Sequence, residues 1–113
     1  MRTPPEQCAS MAEVRAGVDS LDRELVRLLA ERFRFMNAAA RIKPERGMVR
    51  DEARKQQVIR NAMTQAETLG LDPALVGELW DWLVEASIAH ELREWDRSDQ
   101  QGDLGDGART AAR

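Results

Sequence analysis

Residues able to do chemistry occupy positions that periodicity assigns to the inside of helices. Val14, Val18, Leu21, Leu25 and Leu28 follow at steps of 4, 3, 4 and 3, and the next step of 4 lands on Arg32, where an apolar side chain is due. Lys43 lies 11 residues further on, three full turns, and so on the same side of a continuous helix. Arg54 falls four residues before Val58 and eight before Ala62, while a stripe through Leu83 continues by fours onto Ser87 and Glu91. Arginine grips carboxylates and phosphates through paired hydrogen bonds, so cations on inward faces point to a cavity for a small anion. The plainer account of Arg32 is a residue at the edge of the seam whose head snorkels to water.

Charge balance separates two kinds of cavity. Arg15, Arg32, Lys43 and Arg54 outnumber Asp51 and Glu91, which leaves room for a dianion. A salt-bridge network that satisfies itself, as in a non-catalytic helical dimerisation or regulatory module, would lie nearer to neutral. Arg15 stands 17 residues from Arg32, about 25 Å along a helix, so the two cannot hold one small ligand within one chain. In an antiparallel pair of long helices, Arg15 of a second copy lies beside the middle of the first and completes the cavity. On spacing alone, Arg15 also reads as an ordinary exposed first-turn residue.

The elements that must position these groups are helices. Ser10-Met11-Ala12-Glu13 has the form of a capping box ahead of a stretch free of proline until Pro44, which predicts a first helix from about Met11 to about Lys43. Such a rod measures about 48 Å, whereas a compact chain of this length spans about 34 Å. Its far end can bury an apolar seam only against another chain, so the expectation is a two-fold homodimer with the long helices packed together, in preference to a monomeric three-helix bundle. Residues 44–50 are expected to form a polar, mobile loop. Asp51 caps a second helix that carries Val58, Ile59, Ala62, Met63 and Ala66 inward and stops at Leu69-Gly70-Leu71. Asp72-Pro73 opens a third, with the stripe Val76, Leu79, Trp80 and Leu83, reaching Trp95 or Asp96. The expected organisation is an N-terminal extension over 1–9, an all-α domain of one long and two shorter helices over 10–96, and a disordered tail over 97–113.

Composition agrees and excludes much else. The chain has 113 residues, 42% of them hydrophobic, with two Phe, three Trp and no Tyr, which suits one small helical domain. One histidine, His90, and one cysteine, Cys8, cannot assemble a zinc site, a thiol-histidine catalytic group or an internal disulfide. A lone thiol points to a reducing cytoplasm; no apolar run approaches the roughly 18 residues that span a bilayer, and residues 1–6 hold no apolar signal core. Net charge is −3, which disfavours a general nucleic-acid binder, yet 15 of the 17 basic residues are Arg.

Over residues 10–96 the chain resembles the all-helical chorismate mutases and their relatives, the isochorismate-pyruvate lyases. The resemblance rests on Arg15 with Asp19-Ser20-Leu21-Asp22, on Leu28-Leu29-Ala30-Glu31-Arg32, and on Ala39-Ala40-Arg41-Ile42-Lys43. It continues in Val49-Arg50-Asp51 with Arg54, and in Ser87 four residues before Glu91. It implies an intertwined dimer of three-helix chains with two cofactor-free, metal-free active sites, each completed by Arg15 in trans. By similarity, Arg32 and the second copy's Arg15 grip the substrate's two carboxylates and Lys43 donates to its ether oxygen. Asp51 and Arg54 hold the carboxylate and ring-hydroxyl region, Ser87 lines the ring end, and Glu91 faces the ether oxygen from the second side. The implied reaction is the Claisen rearrangement of chorismate to prephenate, which needs no proton transfer and no covalent intermediate.

The chain departs from that pattern at three points. Glu91 stands where many bacterial members carry Gln, and a carboxylate there helps only when protonated, so activity is expected to fall as pH rises. Lys55 replaces an acidic residue that in mutases touches the ring hydroxyl. Pro44 directly after Lys43, with Thr3-Pro4 and Cys8, looks like the lyase branch, which eliminates pyruvate from isochorismate to give salicylate; Val49-Arg50-Asp51 leans to the mutase.

Overall fold

A computed structural model of the protein describes residues 2–104, with side chains through residue 100. The described residues form three α-helices, α1 (Met11–Ile42), α2 (Glu52–Thr68) and α3 (Pro73–Leu104), with short 3-10 turns at Pro5–Gln7 and Arg46–Met48 and no strand. The expected all-helical chain of three helices is thus observed, and no helix among the described residues is long and apolar enough to cross a membrane.

Local chemistry sets the helix ends. At the start of α1 the Ser10 hydroxyl accepts from the Glu13 amide at 3.2 Å, while the Glu13 carboxylate accepts from the Ala9 amide at 3.0 Å, one residue before the reciprocal bond of an ideal capping box. Asp51 caps α2 by accepting from the Arg54 amide at 3.0 Å. The C-terminus of α2 closes as a Schellman motif, with Leu71 N–H on the Ala66 carbonyl at 2.8 Å and Gly70 N–H on Glu67 at 3.1 Å. Gly70 has φ 76°, the left-handed conformation this turn requires. Asp72 then caps α3 through the Ala74 amide at 3.0 Å, with Pro73 in the first helical position.

The chain divides into two compact units, Met1–Arg34 and Phe35–Arg113. In the first, Arg2 of the N-terminal arm meets Ser20 and Glu24 on α1, and the seam residues Val14, Val18, Leu21, Leu25 and Leu28 are all exposed. In the second, α2 and α3 pack side by side, and they approach so closely at Gly77 that a Cβ there would lie 3.0 Å from the Met63 sulfur. The core there is Val49, Val84 and Ile88, with Val58, Leu92 and Trp95 against it. Each such aliphatic side chain contributes about 1.5–3 kcal/mol when fully buried.

Three expectations are corrected. The third helix does not end at Trp95 or Asp96 but continues through 97–104, so it is as long as α1, 32 residues each. No proline or glycine intervenes before Gly102, and Arg97 pairs with Glu94 one turn back at 2.6 Å, which sustains the helix where a disordered tail was expected. The remainder of that expected tail, 105–113, lies outside the described residues. The loop over 44–50 is not uniformly polar, since Val49 is buried in the core and Arg46–Met48 form a 3-10 turn. Leu79 is exposed, and the buried arc of α3 runs instead through Val76, Leu83, Val84, Ser87, Ile88 and Glu91. At 100° per residue, Leu79 stands roughly 110° around the helix from the middle of that arc, beside the exposed Leu75 and Trp82.

Candidate active site

Of the seven residues singled out in the sequence, Lys43 and Glu91 are brought into direct contact. Glu91 is 4% exposed, and its Oε2 accepts from Lys43 Nζ at 2.6 Å. A carboxylate this deeply buried is stable only beside a compensating charge or donor. Lys43 follows the last residue of α1, where its amide still bonds to the Ala39 carbonyl at 2.9 Å, so the helix terminus itself delivers the ammonium to α3.

Ser87 lies one turn before Glu91 on the same buried face, and its hydroxyl donates to the Leu83 carbonyl at 2.7 Å. This back-bond satisfies the hydroxyl's donor. Asp51 is spent as the cap of α2, and Arg54 contributes the amide that it caps. The Arg54 side chain corrects the inward-facing expectation: it is exposed and donates to Gln57 at 2.9 Å, because at 100° per residue it stands roughly 110° around α2 from the middle of the covered arc of Lys55, Val58, Ile59, Ala62, Met63 and Ala66. Arg15 and Arg32 belong to the unit ending at Arg34; Arg15 is exposed and Arg32 half-buried on α1.

Several residues that organise the site were not singled out. Trp95 donates from its indole Nε1 to the Lys43 carbonyl at 3.1 Å, and His90 Nε2 and Asn37 Oδ1 share a hydrogen bond of 2.6 Å. Arg46 forks onto Asp96 with bonds of 2.8 and 3.3 Å, which draws the Asp96 carboxyl below its usual range and holds the guanidinium above its own. In chain order, Asn37, Lys43 and Arg46 thus meet His90, Glu91, Trp95 and Asp96 along one stretch of α3. The available signal was that Trp95 continues the fours of Ser87 and Glu91.

A second polar cluster joins the start of α2 to α3. Glu85 accepts from Arg50 at 2.7 and 3.0 Å and from Lys55 at 2.7 Å; Lys55 also pairs with Asp81 at 3.1 Å, and Arg50 with Glu52 at 2.7 Å. The hydrogen bonds from Arg50 first, then Lys55, pull the Glu85 carboxyl down to about 2. Glu85 and then Asp81 raise Lys55, and Glu85 and then Glu52 raise Arg50. The ammonium of Lys55 is therefore tied to two carboxylates of α3. Among the described residues no three His, Cys, Asp or Glu side chains converge to hold a metal ion.

The arrangement offers a fixed ammonium beside a buried carboxyl group, with a hydroxyl one turn away. It can present hydrogen-bond donors to an oxygen on which negative charge develops. Comparison with known proteins gives two findings. Residues 14–92 match the family described as chorismate mutase type II. The chain is also 28% identical over 95 residues to an isochorismate pyruvate lyase from Pseudomonas aeruginosa, an alignment covering 84% of this chain and 93% of the relative.

Proposed function

The chain belongs to the chorismate mutase type II family, and from that premise we propose that it converts chorismate to prephenate without a cofactor, in the cytoplasm, as a homodimer built on the 10–96 helical domain. The observation that carries this reading is the Lys43–Glu91 pair, an ammonium held at the end of α1 by a buried residue of α3. In the rearrangement the ether C–O bond breaks as a C–C bond forms, and the electrons circulate within one six-membered chair. No proton moves, so the protein's task is to fold a flexible dianion into the reactive shape and to stabilise the charge that gathers on the ether oxygen. An ammonium carries three N–H donors. One is directed at Glu91, and in the complex another meets the ether oxygen.

Arg32, with Arg15 of the second copy, takes the two carboxylates through forked hydrogen bonds. Ser87 lines the ring end, and Asp51 with Arg54 flanks the ring-hydroxyl region. Two apolar faces support the dimer, because the α1 seam and the Leu75–Leu79–Trp82 stripe of α3 are both exposed in the single chain. Lys55, committed to Glu85 and Asp81, acts in this reading as a structural tie and leaves the hydroxyl less closely read.

One observation favours a second reading. The relative aligned over 93% of its length is named isochorismate pyruvate lyase, and the same cage of Arg and Lys suits elimination of pyruvate from isochorismate. Steady-state assays with each substrate, with products separated and identified as prephenate or salicylate, decide between them. Turnover of neither by the folded protein would favour the non-catalytic dimerisation module.

A further inference from the structure

We propose that Trp95 is a positioning residue for Lys43, holding that lysine's backbone while Glu91 holds its ammonium; this rests on the reading of Lys43 as the donor to the substrate's ether oxygen. The last carbonyls of any α-helix lack intrahelical partners. Pro44 stops α1 directly after Lys43, so the Lys43 carbonyl stands at the helix end. The donor comes from α3: Trp95 Nε1 bonds to the Lys43 carbonyl at 3.1 Å. Indole nitrogen is a donor only, so the bond has one sense and one geometry.

Packing fixes where that donor points. Trp95 lies against the buried cluster of Val49, Val84 and Ile88. Glu91, one turn earlier on α3, accepts from Lys43 Nζ at 2.6 Å. A single rigid helix thus grips both ends of a side chain that otherwise has four rotatable carbons and a strongly hydrated head. Asp96, the next residue, takes the fork of Arg46 and keeps the following turn along the same helix. Misplacing a reacting contact by about 1 Å can cost about a hundredfold in rate, so a two-point grip has kinetic consequences.

The test is a double-mutant cycle. Trp95→Phe keeps an aromatic ring in the core and removes the donor together with part of the indole, whereas 3-benzothienylalanine removes the donor alone. On an active wild type, it should lower kcat about tenfold while KM stays within about twofold, and it should add nothing when Lys43 is already Ala. An equal loss in both backgrounds, or an unchanged kcat in Trp95→Phe, overturns the assignment. Where Trp95→Phe fails to fold by circular dichroism, incorporation of 3-benzothienylalanine at position 95 keeps the bicyclic shape with sulfur in place of N–H, and the same outcomes apply. A folded wild type silent with both chorismate and isochorismate overturns the functional reading itself; activity with additive losses overturns the role of Trp95 alone.

Discussion

The ammonium of Lys43 lies 2.6 Å from Oε2 of Glu91, a residue 48 positions later in the chain. The two occupy different helices, one at its very end and the other on the buried face of its middle. Their meeting converts two sequence oddities, a lysine before a proline and a glutamate on an apolar stripe, into one electrostatic device. Such a device serves charge that develops in a transition state better than charge already present, because its dipoles are fixed in advance.

Loss of the donor should be felt in turnover. Lys43→Ala is expected to lower kcat for chorismate by about a hundred- to a thousandfold, the range for removing one preorganised donor. It also strands the buried Glu91 without its partner, so a lowered melting temperature should accompany the loss. Lys43→Arg restores the charge with a different shape and should recover stability more fully than rate, as steady-state kinetics and calorimetry on the two variants would reveal.

Glu91→Gln tests the group that holds the Lys43 ammonium. An amide at this position can donate to the ether oxygen at any pH, whereas a carboxylate repels it. At one neutral pH the variant should therefore match or exceed wild-type kcat/KM for chorismate, since its amide still accepts from the Lys43 ammonium. A large loss of kcat/KM in Glu91→Gln would show instead that a full negative charge is needed beside Lys43.

Mixing tests the proposed homodimer with Arg15 acting in trans. Arg15→Ala and Lys43→Ala homodimers should each be nearly inactive. After co-refolding, about a quarter of wild-type sites should return, because half of the dimers are mixed and one site in each holds both intact residues. If the mixture stays as inactive as its parents, Arg15 does not act in trans.

Acid stability follows from Glu85. Its carboxyl is held at about 2, below the ordinary 4.5, by Arg50 and Lys55. A carboxyl depressed in this way contributes stability that is fully present above 4.5 and is lost as pH falls from there toward 2. The melting temperature should therefore decline across that window, and Glu85→Gln should reduce the slope, with Asp96 and Glu13, also held below their usual range, keeping the rest. A slope unchanged in the variant would assign the acid transition to other carboxylates.

What the sequence made legible was local. Ser10, Asp51, Gly70 and Asp72 each set a helix end through bonds to residues within five positions, so their patterns could be read directly. Ser87 and Glu91 were recognisable as inward because they extend an apolar stripe. Less visible were Trp95 on the Lys43 carbonyl, Arg46 on Asp96, and Val49 in the core, which join segments tens of residues apart. Arg54 misled because four-residue spacing from Val58 reaches only the edge of the stripe, whereas the covered arc of α2 is centred roughly 110° away. Leu79 misled for a related reason: α3 carries two apolar arcs, and periodicity alone does not tell which one α2 covers.

The most direct test of the central claim is the ratio of kcat/KM for chorismate to that for isochorismate, measured on wild type and on Lys43→Ala with prephenate and salicylate identified as products. Prephenate formed from chorismate as the faster reaction, and lost in Lys43→Ala, is the predicted result. Salicylate from isochorismate as the faster reaction, or chorismate turnover indifferent to Lys43, would contradict it.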